Sequence, residues 1–342
     1  MTEGFDSNGV SKKGNLFGLP VSVDEAKLII VPVPWEVTVS YREGTAQAPQ
    51  AIMNASLQID LHHHHLKEAW KSSITMLPVS EELLQENNQQ RFLAKSHIQQ
   101  LEAGNEQSGK IVPIKINEAS ENLNIYVKKI CSQYLKEGKL IGLLGGDHST
   151  PIGLMRALAE KYDRFGVLQF DAHADLRKAF EGFTYSHGSI MYNALKLPAV
   201  ARLVQVGVRD LCDEEEQVIN RSMGRVKTFY DADLKARQYE GETWKSICAE
   251  IIKELPNLVY ISFDIDALDP KLCPNTGTPV PGGLEFSQTV YLIQELVKSG
   301  KRIIGFDLCE VAPDAKADNE WDANVGARML WELSQWTLAA NR

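Results

Sequence analysis

The chain has 342 residues, 44% of them hydrophobic and 24% charged, an ordinary globular composition with enough length to bury a large core. Its net charge of -9 argues against a nucleic-acid surface and agrees with a cationic small substrate, while the lack of any run of about 18 apolar residues excludes a spanning helix. Met1 to Asn15 lacks the apolar core of a signal peptide, and Cys131, Cys212, Cys248, Cys273 and Cys309 stand singly, as reduced thiols do in cytosol, so a soluble cytoplasmic protein with no membrane partner is expected.

Residues 1–20 are polar and glycine-bearing and read as a loose arm, packed on a neighbour. Lys27 to Pro34 is a short buried strand closed by proline, and Trp35 to Gly44 has no clear period, which predicts a long functional loop before a helix near Ala48 to Leu57. The run His62 to His65 reads as a solvated face with incidental metal affinity. Residues 66–122 are polar, with a helix started by Ser80, acids Glu81 and Glu82 in its first turn, and breaks around Gly104 and Gly109. This segment is expected to be an insertion on the scaffold, serving oligomer contact or as an active-site lid.

From Asn122 the pattern becomes regular. A helix to about Glu137 precedes the strand Leu140 to Leu144 and then Gly145-Gly146-Asp147-His148-Ser149-Thr150-Pro151. The following helix has Ser149 or Thr150 as its cap and Pro151 at its first position. Phe165 to Phe170 is the next strand and runs into Asp171. Strand, helix and strand within about 30 residues make a parallel crossover unit, which places His148 and Asp171 at the carboxyl ends of neighbouring strands. Ligand sites of open α/β sheets lie on that edge. Further strands are expected at Leu203 to Val208, Val226 to Phe229, Leu258 to Phe263 and Arg302 to Phe306. Helices are expected near Asp213 to Asn220, Thr243 to Glu254, Ser287 to Ser299 and Asn324 to Ala340. The economical reading is a single domain, α/β in class, with a doubly wound parallel sheet covered on both faces.

Asp171-Ala172-His173-Ala174-Asp175 carries three metal-ligand side chains separated by single alanines. If it leaves the strand still extended, residues two apart point to one side and converge on one pocket. The bland alternative is a solvated acidic turn. Asp264-Ile265-Asp266 repeats the spacing at another carboxyl strand end, and so many carboxylates packed together without cations would repel strongly. Carboxylates with imidazole suit manganese or another hard to borderline divalent ion. With His148 these make six ligands, more than one ion needs with a position kept open for substrate. Two ions roughly 3.5–4 Å apart, bridged by aspartate and water, would use them all. The water would ionise at a pKa near about 7, giving a nucleophile for a hydrolysis whose leaving group needs a proton. His187, twelve residues beyond Asp175 in a glycine-flanked loop, is the candidate donor, against the alternative of a structural or exposed loop histidine. Glu310, on the same predicted edge, could hold a cationic substrate group or be a solvated loop acid.

GGDHS at 145–149, DAHAD at 171–175 and SFDIDALDP at 262–270 resemble the three signature motifs of the ureohydrolases, the arginase and agmatinase family. The likeness runs from about Ile29 to Trp331, with VSYREGTAQAP at 39–49 and GTPVPGGL at 277–284, and leaves out the arm and the 66–122 segment. It implies a three-layer α/β/α fold with a central, mostly parallel eight-stranded sheet. It also implies two Mn2+ ions, with Ni2+ or Co2+ as further options, held by His148, Asp171, His173, Asp175, Asp264 and Asp266. The same resemblance implies His187 as proton shuttle, Glu310 as guanidinium binder, a cationic guanidino substrate, and a homo-oligomer, trimeric or hexameric.

The loop from Leu176 to His187 lacks the asparagine and serine pattern of animal-type arginases and, with TGTPVPGGL, looks more like agmatinases. Agmatine, hydrolysed to putrescine and urea, is therefore the expected substrate. Plant-type arginases have a similar loop, so arginine remains the runner-up, with guanidinobutyrate, guanidine and formiminoglutamate behind it. A catalytically silent metal-binding scaffold is the non-enzymatic alternative. A single-metal deacetylase-like enzyme is a third reading.

Overall fold

Leu-Ile-Ile-Val-Pro-Val at 28–33 and Phe-Gly-Val-Leu-Gln-Phe at 165–170 are buried at every residue, the pattern of parallel strands covered on both faces. The computed structural model describes residues 5–105, 111–315 and 319–342. Its strands are β1 (Leu28–Val33), β2 (Ile74–Met76), β3 (Leu140–Gly145), β4 (Phe165–Phe170), β5 (Val200–Val208), β6 (Val226–Tyr230), β7 (Leu258–Asp264) and β8 (Arg302–Cys309). They form one eight-stranded sheet in the order β2-β1-β3-β8-β7-β4-β5-β6, parallel at every pairing. The helices are α1 (Ala48–Ala55), α2 (Glu81–Glu102), α3 (Ile111–Lys136), α4 (Ile152–Lys161), α5 (Ile190–Ala194), α6 (Asp213–Arg221), α7 (Asp231–Tyr239), α8 (Trp244–Lys253), α9 (Phe286–Lys298) and α10 (Trp321–Ala339). Two contiguous rows, α1-α10-α9-α8 and α2-α3-α4-α5, flank the sheet.

The strand order corrects one expectation. β3 and β4 are not neighbours, because β8 and β7 lie between them. The four central strands therefore run β3-β8-β7-β4, and their carboxyl ends carry His148, Glu310, Asp264 and Asp171 side by side. Local pattern shows that a strand exists but not which strand it pairs with.

Several smaller differences have local causes. Helix α4 starts at Ile152 with Pro151 as its cap residue, and neither Ser149 nor Thr150 caps it. The Ser149 hydroxyl donates to Asp147 Oδ1 instead, and Thr150 Oγ1 donates to the Asp147 carbonyl at 3.0 Å. Helix α3 is already formed at Ile111, eleven residues before Asn122. The 66–122 stretch also supplies the edge strand β2, three residues too short to show a period. Within the arm, Leu16, Phe17 and Leu19 are buried, and the Phe17 ring meets Trp331 edge-on at 4.9 Å. His63 is buried rather than solvated: its Nε2 bonds Glu332 at 3.1 Å and its ring packs on Trp336. Residues 1–4 of the arm and the break expected at Gly109 lie outside the described residues.

Candidate metal centre and substrate cavity

Each motif reaches the sheet edge by its own device. Gly146 sits where a Cβ would come within 1.8 Å of the Trp35 carbonyl oxygen, so only glycine lets the turn after β3 pass that backbone. The turn is then tied down on both sides, by Asp147 N donating to Trp35 O at 2.8 Å and Glu310 N donating to Gly146 O at 2.9 Å. After β4 the chain keeps a parallel bridge, His173 with Asp210, and departs from the alternation only at Asp175. β4 ends at Phe170, and Asp175 takes φ 55°, a left-handed conformation rare without glycine. Its carbonyl accepts from Met191 N and Tyr192 N at 3.0 and 3.1 Å, which holds the strained turn and swings its carboxylate back over the sheet edge.

The result is a convergent donor set. His148 Nδ1 lies 3.1 Å from Asp171 Oδ2, 3.0 Å from Asp175 Oδ2 and 3.2 Å from Asp264 Oδ2. His173 Nδ1 lies 3.0 Å from Asp266 Oδ2 and 3.6 Å from Asp171 Oδ1. Two groups of ligand atoms able to hold a metal ion follow, His148 with Asp171 and Asp264, and His173 with Asp171 and Asp266. Asp171 belongs to both and offers one oxygen to each.

The chemistry of the donors fits a cation. Ser262 Oγ donates its one hydrogen to Asp307 Oδ2 at 2.8 Å, so toward His148 Nε2, 2.9 Å away, it acts as acceptor. Nε2 then carries the imidazole proton, and Nδ1, a buried atom without a hydrogen-bond partner, turns a lone pair toward three carboxylate oxygens. Lone pair and anions repel unless a positive charge lies between them. Without one, burial opposes a charge on His148 but the Asp171, Asp175 and Asp264 carboxylates outweigh it and drive its pKa well up. Burial and the neighbouring Asp171 charge raise Asp175 to about 7, and burial with Asp266 and Asp171 raises Asp264 well above the carboxylate range. The four carboxylates of Asp171, Asp175, Asp264 and Asp266 carry the charge that two divalent cations balance.

Above this set lies a cavity of about 450 Å³, the size of a small-ligand site. His173 and Asp175 line it, with His187, Phe180 and Arg177 on one wall, Ser40, Tyr41 and Arg42 on another, and Asp210, Glu215 and Thr278 to Val280 among the remaining lining residues. His187 is thus brought to the metal-ligand groups. Burial, followed by the His173 charge, pushes its pKa down to about 4, so it is neutral at pH 7. Glu310 is brought near but does not line the cavity: its Oε1 accepts from His148 N at 2.8 Å, and burial with Asp147 and Asp266 raises its pKa well up.

Sequence reasoning passed over the residues that support these groups. Asp307 accepts from Ser262, from the Tyr260 hydroxyl at 2.6 Å and from Phe263 N at 3.2 Å. Gln169 Nε2 donates to Asp171 Oδ2 at 2.7 Å and is itself bonded by Gln205 at 2.6 Å. Asp147 accepts from Thr38 Oγ1 at 3.1 Å, and that hydroxyl accepts from His187 N at 3.1 Å. Their signal was a lone polar side chain in an otherwise apolar run near a strand's carboxyl end: Gln169, Gln205, Ser262 and Asp307 are all fully buried.

Comparison with known proteins agrees with this geometry. A model of the Arginase family matches residues 26–335. An N(1)-aminopropylagmatine ureohydrolase of Thermus thermophilus is 31% identical over 302 residues, 88% of this chain and 87% of its own. An agmatinase of Salmonella paratyphi B is 27% identical over 337 residues, 96% of this chain and 94% of its own. The structure of agmatine ureohydrolase of Thermoplasma volcanium superposes with a TM-score of 0.72 at 24% identity, covering 95% of this chain and 94% of that one.

Proposed function

The chain belongs to the arginase family of metal-dependent ureohydrolases, and from that premise we propose that it hydrolyses agmatine to putrescine and urea. His148, Asp171, Asp175 and Asp264 would hold one divalent cation and Asp171, His173 and Asp266 a second, manganese at both. When bound, two such ions supply a water ionised near neutral pH. Hydrolysis of a guanidinium forms a bond from a water oxygen to its carbon and breaks the bond from the carbon to the alkyl nitrogen, which must take up a proton. His187, neutral and facing the cavity floor, accepts a proton from the attacking water and returns it to that nitrogen. Glu310 holds the turn carrying His148 by accepting from its backbone N–H; the guanidinium-binding role that the resemblance implies for it needs the cavity to open toward it.

The observation that carries the substrate choice is the charge at the cavity rim. Arg177 is engaged by Glu215 at 3.7 Å and by the Phe180 ring at 4.6 Å, and Arg42 donates to the Pro274 carbonyl at 2.7 Å. Asp210 is exposed on the same rim and makes no ion pair among the described residues. A far-end ammonium finds a partner there, whereas the carboxylate of arginine meets another carboxylate. The same charge accommodates N1-aminopropylagmatine, the substrate in the name of the Thermus relative, and this is the second reading. As in that family at large, we assign the protein a homo-oligomeric state.

Urea release from agmatine, aminopropylagmatine and arginine by manganese-loaded protein tests the assignment. Agmatine is expected to be turned over fastest and arginine least. A preference for arginine, or no urea from any of the three, refutes the substrate choice.

A further inference from the structure

Helices α2 and α3 carry none of the motifs above, yet two of the loops that wall the cavity are bonded to them. The Arg91 guanidinium on α2 is largely buried, its side chain 11% exposed, and a buried guanidinium is tolerated only when its fork of donors is used. Here the whole fork goes to one loop: NH1 donates to Val37 O at 3.1 Å and Val39 O at 2.6 Å, and Nε donates to Glu43 Oε1 at 3.2 Å. Asn87, one turn earlier, accepts from Glu36 N at 2.7 Å. Between the two carbonyls that Arg91 grips lies Thr38, whose hydroxyl accepts from His187 N.

A second route reaches the same histidine. Asn117 on α3 accepts from Thr184 N at 2.7 Å and donates to Gly182 O at 3.2 Å. His97 on α2 bonds the Glu181 carbonyl at 3.1 Å and packs edge-on against Phe183 at 5.6 Å. Gly182 has φ 86° and passes so close to Pro113 that a Cβ there would lie 3.1 Å from its ring. A glycine-bearing loop of this kind would otherwise sample many conformations.

We propose that α2 and α3 form a brace for the catalytic wall, with Arg91 and Asn117 as positioning residues for His187. The proposal rests on the reading of His187 as proton carrier. Neither residue lines the cavity; each holds backbone groups of a loop that does, and displacements of about 1 Å in a proton-transfer group cost about 100-fold in rate. The fork at Arg91 spans two carbonyls and a carboxylate, a geometry that lysine cannot reproduce.

The test measures kcat, KM, bound manganese and melting temperature for Arg91→Ala, Arg91→Lys and Asn117→Ala, each alone and combined with His187→Ala. Each single variant is expected to lower kcat about 10-fold with KM and metal content near wild type, and Arg91→Lys not to restore it. In the His187→Ala background the same changes are expected to alter kcat less than about 2-fold, because the group they position is gone. Asn117 is half-buried and acts on the other loop, so it keeps the test open if Arg91→Ala does not fold. Wild-type kcat in both alanine variants, or an equal loss with and without His187, overturns the brace. Wild-type kcat in His187→Ala alone overturns the proton-carrier reading instead, and the proposal with it.

Discussion

Ser262→Ala removes one buried hydroxyl, the one between His148 Nε2 at 2.9 Å and Asp307 Oδ2 at 2.8 Å. Asp307 loses little, since Tyr260 and Phe263 still donate to it at 2.6 and 3.2 Å. His148 loses its only Nε2 acceptor, because the next oxygen, Asp307 Oδ1, is 3.7 Å away and out of hydrogen-bond range. A buried donor left unpaired costs about 1–3 kcal/mol, so the proton moves to Nδ1, where three carboxylate oxygens accept it. A metal ion that takes Nδ1 then forces the proton back onto Nε2, where it has no acceptor. Losses of this kind weaken metal affinity about 10–100-fold, or about 1.4–2.7 kcal/mol. Manganese titration calorimetry on chelator-stripped wild type and Ser262→Ala reads the difference directly. Equal affinities, with the variant folded, would show that Ser262 does not set the protonation of His148.

Asp171→Ala removes an oxygen from both ligand groups at once, and elemental analysis after dialysis is expected to show both ions lost together; one ion retained at full occupancy would mean that Asp171 is not shared. In stripped protein, Asp175 is raised to about 7 and His148 well up. A raised carboxylate binds more protons folded than unfolded, and a raised histidine likewise, so metal-free stability falls as pH rises from about 4 to 8. Bound manganese needs these groups deprotonated, so the gap in melting temperature with and without metal widens with pH; a constant gap contradicts the donor assignment. Gly146→Ala places a Cβ 1.8 Å from Trp35 O, a backbone atom that cannot rotate away, and is expected to cost about 3 kcal/mol in urea denaturation. An unchanged midpoint would mean that the turn after β3 relaxes freely.

Most of the sheet was legible because parallel strands covered on both faces are largely apolar runs, as β1, β3, β4, β5, β7 and β8 show, while the edge strand β6, with Lys227 exposed, shows only apolar residues around a polar middle. β2 was not, since Ile74–Met76 is too short to display a period. Helix α7 (Asp231–Tyr239) was hidden by its polar surface, with only Asp231 and Leu234 buried. The metal-ligand residues were legible from chemistry: carboxylates and imidazoles repeated at a spacing of two after strand signals have few other uses. The left-handed turn that aims Asp175 was not, because an aspartate tolerates φ 55° without announcing it; Met191 N and Tyr192 N, distant in sequence, hold it.

Read alone, the sequence names the candidate side chains for the chemistry, since ligand type, strand period and glycine punctuation are local properties. Tertiary structure decides what stands between them. β7 and β8 enter between β3 and β4 and so bring Asp264 and Glu310 into line with His148 and Asp171. Packing alone selects Ser262, Asp307, Gln169 and Thr38 as their supports, and docks α2 and α3 on two loops of the cavity wall. These depend on pairings between residues tens to hundreds of positions apart, which no local pattern encodes.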